Sequence, residues 1–287
     1  MLDVTRLRVL AAVARTGSVT AAARELHYSQ PSVSHHLARL ETETGAQLLQ
    51  RVGRGIRLTE AGQVLADRAA EILGRIDSAS AELDSYVGLN AGRLRIAAYS
   101  SAVVALLPPV AAAFERDHPG LRLEIIDTHP PEALELLRAG EVDAAIVFRY
   151  DESADDPRRI RLQFLRDDPT YLLTLDGSTN VLDHRDDVWV GGCERCRLHL
   201  IDLCQREGFE PAIAFSTDDM VAIQALVASG MGVATIPGLA LEAHRHPGIT
   251  ATEIPGGERH VYLALYGDPP DPPPIAALRE ALAGLPV

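Results

Sequence analysis

At 287 residues, 47% of them hydrophobic, the chain holds ample apolar material for packed cores and exceeds the usual size of one domain, which excludes global disorder and predicts two or more domains. Its formal charge of −13 is unevenly spread: residues 1–58 carry eight Arg against four acids, residues 59–287 carry nineteen Arg against thirty-six, and only the basic head suits phosphate. Three cysteines exclude a disulfide scaffold, Arg6, Arg8 and Arg15 interrupt the N-terminus where a signal peptide would be apolar, and no eighteen-residue apolar run occurs; a soluble, cytoplasmic protein without membrane segments is expected.

Asp3 can cap a first helix whose apolar residues Leu7, Leu10, Val13 and Ala14 share one face, ending at Gly17. Ser18 caps a short second helix over residues 19–26, where Ala21, Ala22 and Ala23 let another helix approach. After the turn His27-Tyr28-Ser29, a third helix carries Pro31 in its first turn, where a missing N–H costs nothing. Val33, Leu37 and Leu40 form its buried stripe, and the opposite face shows Gln30, Ser32, Ser34, His35, His36 and Arg39. Two short helices about a tight turn, the second rich in donors and acceptors, predict a helix-turn-helix whose second helix enters the major groove. The alternation in Arg51-Val52-Gly53-Arg54-Gly55-Ile56-Arg57-Leu58 suits a small hairpin, or wing, laying guanidinium groups along the DNA backbone. Candidate DNA contacts are Ser29, Gln30, Pro31, Ser32, Ser34, His35 and Arg39 on the helix and Arg51, Arg54 and Arg57 on the wing. Any helical trio has polar outer faces, so the pattern alone leaves a purely structural head open.

Gly17-Ser18, Thr20-Ala21-Ala22, Leu26, Ser29-Gln30-Pro31-Ser32-Val33-Ser34, Leu40-Glu41, Gly45, Leu48, Arg51, Leu58-Thr59 and Ala61-Gly62 resemble, in order and spacing, the LysR-type transcriptional regulators over about sixty residues. The chain departs from the family at Val19 and Leu49, usually Phe, and at Leu10, often Phe; these are apolar exchanges in a core. The resemblance implies a winged helix-turn-helix that binds promoter DNA.

Beyond Thr59, a helical stretch runs to about residue 89, roughly 45 Å at 1.5 Å per residue. Leu65, Ala69, Ile72, Ile76, Ala79, Leu83 and Tyr86 step alternately by four and three, a coiled-coil seam of three heptads. This predicts a dimer, which the resemblance implies is antiparallel. Pairing doubles the few base contacts of one head on a pseudo-palindromic site.

After Asn90-Ala91-Gly92, strands over 94–99, 121–127 and 142–148 alternate with helices over 103–116 and 131–139, a βαβαβ pattern and hence a parallel sheet covered by helices. The pattern restarts with strands over 171–175, 188–190, 212–215 and 233–236 and helices over 195–206 and 218–228; a late strand over 261–266 and a helix over 274–283 follow. Two α/β lobes joined by crossings near 160–168 and 260–268 resemble the periplasmic-binding-protein-like sensor of LysR-type regulators. The expected division is a DNA-binding domain over 1–58, a linker helix over 59–89 and an effector domain over 90–287, with lobe I about 91–162 and 268–287 and lobe II about 163–267. Ligands in such sheets sit beyond the carboxyl ends of strands. This selects Ser100, Ser101, Thr128, Phe148, Arg149, Cys193 and Thr217 for an effector, with an acidic one favoured by hydroxyls and helix N–H groups. Each hydroxyl alone could be a mere helix cap; their convergence on one cleft favours binding.

No G-x-S-x-G, H-E-x-x-H or Walker motif occurs, so no catalytic residue, enzyme activity, cofactor or metal is expected. Cys193-x-x-Cys196, with His199 and Cys204, is weak as a zinc site: Cys196 and Cys204 on one helix stand about 12 Å apart along its axis. A redox pair of Cys193 and Cys196 at a helix N-terminus is geometrically possible, beside a structural or effector-contact role. The expected protein is a regulator binding double-stranded promoter DNA as a homodimer or homotetramer and answering to a small-molecule effector, with RNA polymerase a further candidate partner. The rival is an intracellular solute-binding receptor whose N-terminal domain serves only oligomerisation; the basic head argues against it.

Overall fold

The computed structural model describes residues 2–52, 55–87, 92–150 and 160–285. The chain divides into two compact units, one of residues 1–88 with 135–143, the other of residues 89–134 with 144–287.

In the first unit, α1 (Val4–Thr16) starts where the Asp3 side chain accepts from the Arg6 N–H and stops at Gly17, whose φ of 64° ends the helix without a Cβ penalty. Ser18 and Ser29 cap α2 (Val19–Glu25) and α3 (Gln30–Thr44) in the same way, through the N–H groups of Ala21 and Ser32. The antiparallel pair β1 (Leu49–Val52) and β2 (Gly55–Leu58) forms the wing, with Leu49 opposite Leu58. Helix α4 (Glu60–Val87) follows. Its first turn presses on the backbone before the wing: a Cβ on Gly62 would lie 2.0 Å from the Leu48 carbonyl oxygen.

The head's core gathers Leu7, Leu10, Val13, Ala22, Val33, Leu37, Leu40 and Leu48, and it takes Ala66 and Ala69 from α4, with Leu65 packed against it. This corrects the expected seam. Leu65 and Ala69 cover the three-helix core, because any apolar stripe at a helix start meets whatever apolar surface lies nearest. The outward stripe begins one heptad later, with Ile72 at 40% exposure, Ile76 at 42% and Leu83 at 67%. The side chain of Tyr86 lies outside the described residues.

In the second unit the chain runs β3 (Gly92–Ala98), α5 (Ser100–Ala105), α6 (Leu107–Asp117), β4 (Leu121–Asp127), α7 (Pro130–Ala139) and β5 (Ala144–Arg149). After β6 (Ile160–Asp168) come β7 (Thr170–Thr174), a 3-10 turn at Val181–His184, β8 (Val188–Gly191), α8 (Glu194–Arg206) and β9 (Ala212–Ser216). The chain ends with α9 (Met220–Ala228), β10 (Val233–Pro237), α10 (Gly238–Ala243), β11 (Thr250–Glu253), β12 (Arg259–Tyr266) and α11 (Pro273–Ala283). Two five-stranded sheets result, in the orders β4-β3-β5-β12-β6 and β11-β7-β10-β8-β9. Strands β3, β4 and β5 are parallel, as the alternating pattern requires, and β12 runs antiparallel between β5 and β6. The chain leaves the first sheet at the end of β6 and re-enters it at the start of β12. There Asp168 and Arg259 are register partners.

The single helix expected over 103–116 is two. Leu106 lies between α5 and α6, and Pro108-Pro109 opens α6; proline disfavours helical geometry in the residue before it and supplies no N–H to the preceding turn. Strand β11 and helix α10 had no counterpart in the sequence reading, and the crossing at 160–168 is a full strand.

Candidate effector cleft and nucleic-acid interface

Helix α3 buries Val33, Leu37 and Leu40 and turns Gln30, Pro31, Ser34, His35 and Arg39 outward, with Ser32 half-buried. Ser29 is exposed but already engaged as the cap of this helix. His36, on the flank, stacks on Tyr28 with ring centroids 5.8 Å apart. Glu41 fixes the approach to the wing, its Oε1 accepting from the N–H groups of Leu48 at 2.7 Å and Leu49 at 3.1 Å. Thr59 closes the other side: its hydroxyl donates to the Gln47 carbonyl at 2.6 Å and accepts from the Gly62 N–H. Arg57 is exposed on β2. Arg54 and the side chain of Arg51 lie outside the described residues. Among the described residues, Gln30, Ser34, Arg39 and Arg57 make no side-chain hydrogen bond or ion pair, so their polar atoms face solvent ready for another partner.

A cavity of about 50 Å³ lies between the two sheets of the second unit. Tyr99, Ser100, Ser101, His129 and Phe148 line it from the first sheet's side; Cys193, Cys196, Thr217, Asp218, Met220, Ile223 and Ile236 line it from the second. His129 and Asp218 bridge the two sides at 3.0 Å. At its base sits Arg259, 2% exposed, paired with Asp168, which is wholly buried. Arg259 donates through Nε to Asp168 at 2.9 Å and through Nη2 to the Ser101 hydroxyl at 2.6 Å. Its guanidinium lies 4.1 Å from the centroid of the Phe148 ring and 4.8 Å from that of Tyr99, within cation–π range. The second oxygen of Asp168 accepts from the Leu239 N–H at 2.8 Å. Arg259 Nε and Nη2 and both Asp168 oxygens thus have partners, which helps make buried charge tolerable. The Tyr99 hydroxyl, by contrast, is buried against the cavity with no hydrogen-bond partner among the described residues, and burial pushes its pKa up, keeping it a neutral donor.

The pattern described as "Bacterial regulatory helix-turn-helix protein, lysR family" matches residues 4–63, and that described as "LysR substrate binding domain" matches residues 88–285. The chain belongs to the LysR family. This LysR-type regulator is 32% identical over 247 residues to the probable HTH-type transcriptional regulator LrrA of Synechococcus elongatus, covering 83% of this chain and 82% of that one. It is 30% identical over 281 residues to the HTH-type transcriptional regulator TfdS of Cupriavidus pinatubonensis, covering 92% of both. Its fold is that of full-length OxyR from Pseudomonas aeruginosa (TM-score 0.72, 23% identity, 98% of this chain and 95% of that one). It is also that of full-length CbnR in complex with its target DNA (TM-score 0.66, 24% identity, 98% and 99%). It is a DNA-binding transcriptional regulator with an effector-binding domain, and among the described residues no helix is long and apolar enough to cross a membrane.

Within this LysR-type framework Ser100, Ser101, Phe148, Cys193 and Thr217 meet at the cavity; Thr128 and Arg149 are not among its lining residues. Successive side chains alternate across a strand, so Arg149 leaves the face that Phe148 occupies, and it pairs in register with His260 on β12. Thr128 continues β4, its N–H bonded to the Ala98 carbonyl. Ser100 donates to Asp127 at 3.2 Å, and the Thr217 hydroxyl accepts from the Asp219 N–H at 3.1 Å. The sequence reading missed Tyr99 and Arg259. An Arg opening a crossing strand was the available signal for the latter.

Cys193 caps α8, its Sγ accepting from the Cys196 N–H at 3.4 Å and lying 3.1 Å from the Cys196 Sγ; both are free thiols. The Tyr150 hydroxyl donates to the Cys196 sulfur at 3.7 Å. The Cys193 hydrogen bond, aided by the Arg259 charge and the Tyr150 hydroxyl, outweighs burial and draws the Cys196 thiol down to about 6. Cys204 differs: it is packed with Leu200, Leu203 and Trp189, and burial pushes it up to about 12. Among the described residues no three His, Cys, Asp or Glu side chains converge as a metal site.

Proposed function

We propose that the protein binds pseudo-palindromic promoter DNA as a homodimer or homotetramer, with α3 in the major groove and the β1–β2 wing along the backbone, and that a compact effector in the cavity between the sheets biases the arrangement of its DNA-binding heads. The division into residues 1–58, 59–89 and 90–287 carries over to these roles. The effector reading rests above all on the Tyr99 hydroxyl, a buried donor at the cavity wall without a partner among the described residues. Because Arg259 is neutralised by Asp168, the cavity floor offers hydrogen bonds rather than spare positive charge. Its ligand is therefore a small molecule with an apolar body against Met220, Ile223 and Ile236 and an acceptor toward Tyr99 and Ser101. The effector is sensed and not transformed, in keeping with relatives named as transcriptional regulators. A regulator of promoters works in the cytoplasm, where the DNA is.

At the DNA, Gln30, Ser34 and His35 face base edges, Ser29, Pro31, Ser32 and Arg39 flank them, and Arg51, Arg54 and Arg57 contact phosphates. Replacing Arg57 by Ala should weaken binding to every sequence and reduce the slope of log affinity against log salt by about one. Gln30→Ala should instead cost roughly 1–3 kcal/mol on the cognate site alone and relax base preference there. Gel shifts across a salt series distinguish the two, and an unaltered slope for Arg57→Ala would take the wing off the backbone.

At the cavity, Tyr99→Phe removes only an unpartnered hydroxyl, so the melting temperature should hold or rise slightly while effector-induced stabilisation falls. Thr217→Val should likewise leave DNA binding intact and lose the response. Ser101→Ala is a blunter tool, because it strips Arg259 of a buried acceptor at a cost of about 1–3 kcal/mol. A thermal-shift screen of metabolites on the parent identifies the ligand. Should Tyr99→Phe and Thr217→Val both respond to it as the parent does, the effector site lies elsewhere.

A further inference from the structure

We propose that Cys193 and Cys196 form a reversible dithiol–disulfide couple, oxidised in place by a small hydroperoxide that enters the cleft. The geometry carries it independently of the effector reading. The two sulfurs stand 3.1 Å apart within the first turn of α8, so a side-chain movement of about 1 Å reaches the roughly 2.05 Å of a disulfide. Both residues line the cavity and neither is fully buried, so an oxidant reaches them from solvent. The thiolate is the reactive form, and the Arg259 charge and the Tyr150 hydroxyl favour it at Cys196. The cavity, about 50 Å³, admits a few water-sized groups, hence hydrogen peroxide or a short alkyl hydroperoxide, but not a bulky disulfide such as oxidised glutathione. Cys204, in the apolar core with its thiol pushed up, stands outside the couple.

In the first step the Cys196 thiolate attacks one peroxide oxygen: the O–O bond breaks, an S–O bond forms, and the departing oxygen takes a proton from solvent and leaves as an alcohol or water. The Cys193 thiol then attacks the sulfenic sulfur, the S–O bond breaks, and the S–S bond forms. The hydroxide, joined by the Cys193 proton, leaves as water. Overall two thiols and one hydroperoxide give one disulfide, one alcohol (or water) and one water; the two sulfurs lose the two electrons that the O–O bond gains.

The test treats the reduced, full-length protein with one equivalent of hydrogen peroxide, alkylates what remains with iodoacetamide and maps peptides by mass spectrometry. Two of the three thiols should be lost to a Cys193–Cys196 disulfide within one chain, two hydrogens lighter, and recovered with dithiothreitol. Cys193→Ser should stop at a sulfenic acid on Cys196 that dimedone captures, whereas Cys196→Ser should react at least about tenfold more slowly. Oxidised glutathione at equal concentration should be slower than peroxide by a similar factor. Three free thiols after peroxide, a bridge to Cys204 or to a second chain, or equal reaction with glutathione disulfide would overturn the proposal.

Discussion

Replacing Arg259 by Met is expected to destabilise the effector-binding domain by about 3–5 kcal/mol, because it leaves the wholly buried Asp168 carboxylate without its counter-charge. The loss does not stop at the pair. The Ser101 hydroxyl loses a donor, and the Phe148 and Tyr99 rings lose the cation packed on them. In urea the unfolding midpoint of that domain should fall by at least about 1 M, since slopes are about 1–3 kcal/mol per molar. Asp168→Asn should be similarly damaging, as a neutral amide cannot balance the guanidinium. Removing both charges with residues of like volume should recover much of the loss, which a double-mutant cycle would measure. The contrast is Arg206→Ala, which breaks an exposed pair with Asp202 one helical turn away and should cost under about 0.5 kcal/mol. Equal effects at the two sites would mean that Arg259 is reached by water in solution.

Changing Ile72 and Ile76 together to Asp is expected to abolish dimerisation. Both lie on the outward stripe of α4, past the turns that close the head, so the substitution spares the folded chain and puts carboxylates where a partner helix would cover them. Four carboxylates enter a symmetric pair of such helices. At no less than about 2 kcal/mol each to bury, they weaken association by at least about 10⁵-fold. Light scattering should report a single 30.9 kDa chain, with unchanged circular dichroism and loss of operator binding. A dimer that persists would place the interface elsewhere than the α4 stripe.

What the sequence made legible was what short-range chemistry determines. Asp3, Ser18 and Ser29 cap their helices through hydrogen bonds three residues long, and Gly17 ends its helix by a local backbone preference. The restart of the strand–helix alternation after residue 165 was similarly readable. Long-range pairing was not. Asp168 and Arg259 stand 91 residues apart and meet only because β6 and β12 pair, so neither residue advertises the other. Strand ends do not tell which face each side chain takes, so of the neighbours Phe148 and Arg149 only Phe148 lines the cavity. The stripe on α4 has one period throughout, yet its first part serves the head and its second part faces outward. Periodicity reports that a residue is to be covered and not by what.

The close seat of Gly62 on Leu48 has a mechanical meaning. With Ala66 and Ala69 sunk in the head's core, the wing, the recognition helix and the base of α4 turn together as the short arm of a lever. The long arm is the rest of α4, about 18 of its 28 residues past Ala69, or about 27 Å. Tilting such an arm by about 10° shifts one of its ends relative to the other by about 5 Å, more than one base-pair rise of about 3.4 Å along a duplex. Angular play too small to disturb the packing of Ala66 and Ala69 is thus enough to shift a head by more than one base pair.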